Sequence, residues 1–140
     1  MAKVGRASRN ASLLRVETVT GDKTLAAAES GEVYFLDGSA ELNFTVTLPS
    51  AKAGAYFTFV LSAASHANTQ ILIDAGTGST IQGTTIVQAA GGADTKAAHS
   101  NQKLGFADAS IVGSIVEIVC DGTNWFLLRA ESSAAFVTAF

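Results

Sequence analysis

Leu42-Asn43-Phe44-Thr45-Val46-Thr47-Leu48 is the stretch that decides the fold class. Leu42, Phe44, Val46 and Leu48 fall on one side of an extended chain, and Asn43, Thr45 and Thr47 fall on the other. Successive side chains of a strand point to opposite faces, so this alternation predicts a half-buried β-strand. Pro49, the only proline in the chain, ends it, because proline cannot donate to a sheet ladder.

The same period runs outward in both directions. Tyr56-Phe57-Thr58-Phe59-Val60-Leu61 predicts a second strand with Phe57, Phe59 and Leu61 on one face. Val33-Tyr34-Phe35-Leu36 lies between the breakers Ser30-Gly31 and Asp37-Gly38, and Ile71-Leu72-Ile73 is short and apolar on both faces. Ile115–Cys120 and Trp125–Leu128 flank Asp121-Gly122-Thr123-Asn124, which predicts a hairpin closed by a tight turn. Asp74-Ala75-Gly76-Thr77-Gly78 reads as a hairpin turn between Ile73 and Ile81, with Gly76 and Gly78 at positive φ. Helix signals are few: Thr24 to Ser30 predicts one or two turns with Thr24 as the N-cap. Ala89 to Gln102, rich in Ala, Gly, Asp, Ser and Asn, predicts a long loop without regular structure. About eight to ten short strands result, which implies an all-β domain: an antiparallel β-sandwich, or a jelly-roll or barrel-like variant of it.

The chain has 140 residues, 48% of them hydrophobic and only 15% charged. That length fits one domain, and the low charge suggests that part of the exterior is interface. Charge is unevenly placed. Residues 1–15 carry Lys3, Arg6, Arg9 and Arg15 and no acid, whereas the remainder carries five basic and twelve acidic groups. Residues 1–12 therefore read as a flexible basic arm on an acidic sandwich domain, residues 13–140, and such asymmetry marks an interaction tail. Residues 1–15 hold no apolar stretch of the length a secretion signal needs, and no run approaches a membrane-spanning helix.

Reactive chemistry is not evident. The two histidines, His66 and His99, stand in small-residue segments read as loops, and no Gly-x-Ser-x-Gly elbow is present. The lone Cys120 lies in an apolar run and reads as a small core residue. Two histidines 33 positions apart give no zinc spacing, and the Asp74 loop lacks both the further carboxylates of a calcium site and the lysine of a phosphate loop. No cofactor or metal is expected, and the chain is expected not to be an enzyme. An acidic body argues against nucleic acid as a partner. Most acids fall in or beside turns; Glu117, mid-strand between Val116 and Ile118, suits an exposed face or an intersubunit salt bridge. Trp125, next to Phe126 and Leu127, reads as core.

Three segments carry a resemblance: Ala28–Gly31 with Val33–Asp37, Val46–Pro49 with Gly54–Phe59, and Gly113–Leu127. Together they resemble small β-sandwich modules of tailed-phage virions, used as capsid decoration (cement) proteins and in fibres. The resemblance implies a homo-oligomer, most often a trimer, placed on the capsid exterior after synthesis in the host cytoplasm, with the major capsid protein as partner and no membrane. The expected roles are capsid clamping by Lys3, Arg6, Arg9 and Arg15, and oligomer contacts at Glu117 and at Phe136, Val137 and Phe140 of the apolar C-terminal segment. That segment is expected to form a last strand, in its own domain or against a neighbour. The alternative is a receptor- or glycan-binding module of a fibre or baseplate, using loops 63–69 and 89–102 with His66, Asn68, His99, Asn101 and Gln102, and Trp125 if exposed. A lyase or hydrolase with carboxylates gathered between chains is a third, weaker reading.

Overall fold

The computed structural model describes residues 13–40 and 42–139. Eleven strands follow in chain order: β1 (Val16–Val19), β2 (Lys23–Thr24), β3 (Val33–Asp37), β4 (Phe44–Thr47), β5 (Tyr56–Ala63), β6 (Ile71–Asp74), β7 (Ile81–Val87), β8 (Thr95–Asn101), β9 (Lys103–Phe106), β10 (Ile115–Cys120) and β11 (Trp125–Ser132). They form a seven-stranded sheet, β1-β3-β5-β10-β11-β7-β8, and a four-stranded sheet, β2-β4-β6-β9. Both sheets contribute to one buried cluster: Tyr34, Leu36, Phe57, Phe59, Val116, Ile118 and Trp125 from the larger, Phe44, Val46, Ile71, Ile73, Leu104 and Phe106 from the smaller. The all-β fold expected from the alternation is what the chain adopts.

The pairing directions differ from the antiparallel expectation. From β1 to β7 the chain alternates between the two sheets, so β1, β3 and β5 run parallel in one and β2, β4 and β6 run parallel in the other. Parallel neighbours need a crossover between them, and here the crossover is a strand of the opposite sheet. Alternating side chains report a half-buried face and are blind to strand direction, which is why the periodicity missed this. Antiparallel pairing enters later. The β10–β11 hairpin inserts between β5 and β7, pairing antiparallel with β5 and parallel with β7, while β8 folds back on β7 and β9 on β6.

Side chains explain the layers. Tyr34, Phe57, Phe59 and Trp125 stack with ring centroids 5.7–6.4 Å apart. Such ring pairs contribute about 0.5–1.5 kcal/mol each beyond the area they bury. Trp125 is fully buried and Cys120 nearly so, as their apolar surroundings implied. The Asp121 turn is locked by its own carboxylate, which accepts bonds from the Thr123 and Asn124 amides at 2.8 Å. Gly122 supplies the positive φ of that turn.

Four local expectations are corrected. The Asp74 turn joins the small sheet to the large one rather than closing a hairpin, although Gly76 and Gly78 do take positive φ. Thr24 belongs to β2 and caps no helix; one turn of 3-10 helix, Ala27–Glu29, follows Ala26, too short a segment for an α-helix to propagate. Residues 95–101 of the expected loop form β8, held by a seven-residue register with β7 that its small side chains do not advertise. Leu42 is exposed rather than inward, because β4 begins only at Phe44.

Candidate functional site

The densest polar cluster gathers around β1, β2 and β3. Carboxylate oxygens of Glu17, Glu29 and Glu32 lie within 4.8 Å of one another. That geometry could hold a cation, and the chain already supplies one: the Lys23 ammonium sits 2.9 Å from both Glu17 oxygens and 3.5 Å from Glu29, above the Tyr34 ring at 5.6 Å. The Arg15 guanidinium, largely exposed, reaches Glu32 at 3.2 Å, and the Tyr34 hydroxyl donates to the same carboxylate at 3.1 Å. The Glu17 bond holds the Lys23 ammonium above its ordinary pKa despite partial desolvation. The Ala26 amide, then Lys23, hold the Glu29 carboxyl below its own. Burial first, and the Glu32 bond second, push the Tyr34 phenol upward. These ion pairs and hydrogen bonds tie β1, β2 and β3 together.

Other reactive types are scattered. His99 points into the protein from β8, opposite Gly83, and burial pushes its imidazole below the ordinary value. The expectation of His99 as a solvated loop residue is therefore corrected: pairing with β7 turns it inward. His66 lies on the separate connection between β5 and β6, exposed, where its carbonyl accepts bonds from the Thr69 amide and hydroxyl. Ser110, Ser114 and Ser132 form a buried hydroxyl chain at 3.0 and 3.3 Å, with no imidazole or carboxylate in it. The Asp74 carboxylate is occupied by the Gly76 amide and the Gln102 amide group. Burial opposes its charge, and the bonds from Gln102, Gly76 and Lys103 outweigh that, leaving its pKa low. A groove of about 630 Å³ runs between Thr24–Ala27 and Leu48–Lys52, and Lys52 is its one charged lining residue.

The feature that sequence reasoning missed is the outer face of the seven-stranded sheet. Cross-strand register places Thr18, Phe35, Val60, Ile115 and Glu131 in one outward row and Tyr56, Val119, Phe126 and Gln82 in another. Between them runs a row of Val16, Val33, Thr58, Glu117 and Arg129. A bulge between Glu117 and Ile118 adds Leu128, 65% exposed, to the same side. Its signal was present in β3 and β10, whose outward positions hold Val33, Phe35, Ile115 and Val119 beside the charged Asp37 and Glu117. Arg15 and Glu117 lie at the margin and the centre of this sheet. Phe136 and Val137 do not join it. Phe136 packs on Phe106 at 5.7 Å, and Val137 exchanges two backbone bonds with Gly105, extending the small sheet beyond β9. Lys3, Arg6, Arg9 and Phe140 lie outside the described residues.

No protein-family model matches the chain, and no curated protein matches it.

Proposed function

We propose that this protein is a structural subunit of a tailed-phage particle, a capsid decoration protein that binds the shell from outside as a homo-oligomer. One observation supports this reading above the others: an apolar outer sheet face on a chain in which only 15% of residues are charged. Exposed apolar surface of that extent belongs to proteins that meet other proteins. Two of the segments that carry the resemblance lie at the centre of that sheet: Gly113–Leu127 supplies β10 and its turn into β11, and Tyr56–Phe59 opens β5. A subunit that binds the assembled shell and not its loose components stabilises assembly by mass action. The basic residues Lys3, Arg6, Arg9 and Arg15 complement an acidic shell surface, and several weak attachments per oligomer reinforce one another.

The glycan-binding alternative has less to draw on. Trp125 is fully buried and offers no platform for a sugar, and His99 is turned inward. The test is to add purified full-length protein and a form lacking residues 1–12 to particles stripped of it. The full chain raises the temperature at which the shells open, and the truncated chain keeps its oligomeric mass but does not bind. Equal binding by both forms contradicts the arm's role. Binding to host cells with none to shells contradicts the decoration reading.

A further inference from the structure

We propose that the outer face of the seven-stranded sheet pairs two copies of this chain about a two-fold axis that runs along the strands between β10 and β11. The inference rests on the self-association proposed above and names the surface that performs it.

The position of this axis follows from strand order. Between β10 and β11 the sheet divides into β10, β5, β3 and β1 on one side and β11, β7 and β8 on the other. A half-turn about a line there lays β10 over the second copy's β11 and β5 over its β7, and leaves only β1 outside the contact. Side-chain chemistry agrees. Glu117 and Arg129 are register neighbours, both directed outward, one on each side of the axis. Among the described residues Glu117 makes no ion pair within 4 Å, although its charge acts on Arg129 beside it, and Arg129 pairs closely with Glu131, two positions along its own strand. The half-turn brings Glu117 over the second copy's Arg129, and by symmetry does so twice. The same rotation sets Val119 over Phe126 and Val60 over Ile86, apolar on apolar, and sets Ile115 over Glu131 and Tyr56 over Gln82, where the stems of the polar side chains meet apolar groups. Facing sheets pack about 10 Å apart with strands about 30° askew, so rows meet rows rather than single atoms.

Charge is also what selects a second copy as the occupant. A partner surface of one sign would satisfy Glu117 or Arg129 and oppose the other. A copy of the same face satisfies both, which is the property of an isologous interface. Phe35, Val60 and Ile115 on one side and Tyr56, Val119 and Phe126 on the other shield the two pairs from water and strengthen them.

The experiment is sedimentation equilibrium of the full chain over a concentration series. The expected result is a species of two chains. Glu117→Arg and Arg129→Glu each place like charges together twice per pair and weaken association by at least about tenfold. The double swap, with both substitutions in one chain, restores it. Val60→Lys, which leaves both charges in place, also weakens pairing; circular dichroism confirms that each outward-facing variant keeps its sheet content. A chain that stays single, or a double swap as weak as either single change, overturns the proposal. A species of three chains overturns the two-fold contact and leaves the decoration reading standing. A stable pair that never binds shells does the reverse.

Discussion

The two faces of the seven-stranded sheet share many apolar residues and differ in what covers them, the outer one also carrying Thr58, Glu117, Arg129 and Glu131. Tyr34, Phe57, Phe59, Val116 and Ile118 face the four-stranded sheet and are fully buried. Their neighbours along the same strands, Phe35, Tyr56, Val60, Ile115 and Val119, face outward and keep between partial and substantial exposure. For these apolar positions it is the second layer, not residue type, that separates core from surface. An ordinary two-sheet protein sets polar residues on its outer faces, because nothing else shields them from water. Valine, isoleucine, tyrosine and phenylalanine stand there instead, and among the described residues no further layer covers them.

Substitutions sharpen this contrast in order of size. Phe59→Ala removes a ring from the centre of the aromatic stack, where the small sheet seals it, and is expected to cost about 3–5 kcal/mol in urea unfolding. Ile118→Val, on the same inner face, should cost about 0.5–1.5 kcal/mol. A loss below that range at either position would place the core elsewhere. The pH response should be smaller. Burial holds the His99 imidazole below its ordinary value of 6.5, against a bond at the Lys103 backbone that favours the charged ring. As pH falls the unfolded chain takes up this proton before the folded one does. The stability is therefore complete above about pH 6.5 and declines below it. The urea midpoint should drop between pH 7.5 and 5.5, and His99→Gln should flatten that drop. An unchanged pH dependence in the variant would show that His99 is not the group responsible. Val119→Thr, on the outer face, should shift the stability of the dilute single chain by no more than about 0.5 kcal/mol. A cost like that of Ile118→Val would show that the chain itself already covers the outer face.

The inner face was legible in the sequence residue by residue. Phe44, Val46 and Leu48, then Phe57, Phe59 and Leu61, alternate with polar or half-exposed positions, and all six are buried. Pairing direction was not legible, because a crossover strand leaves the same period two as a hairpin does. β8 was hidden for a different reason. Thr95–Asn101 has little side-chain preference for a strand and owes its conformation to the backbone ladder with β7. The polar cluster around Lys23 could not be foreseen either, since Glu17, Glu29 and Glu32 meet only after the chain has passed through two strands and a 3-10 turn. The outer face left a trace, the apolar residues at outward as well as inward positions of β3 and β10, that alternation alone does not decode. Glu117 was singled out as a break in such a run; the structure adds that Arg129 stands beside it.

Oxidative footprinting by hydroxyl radicals, with mass-spectrometric readout, tests the unclosed third layer most directly. In dilute solution Tyr56 and Phe126, 44% and 37% exposed, should react while Trp125 does not. As the protein is concentrated, reaction at Tyr56 and Phe126 should fall together and Trp125 should stay silent. Oxidation of Tyr56 and Phe126 that is the same at every concentration would contradict the account.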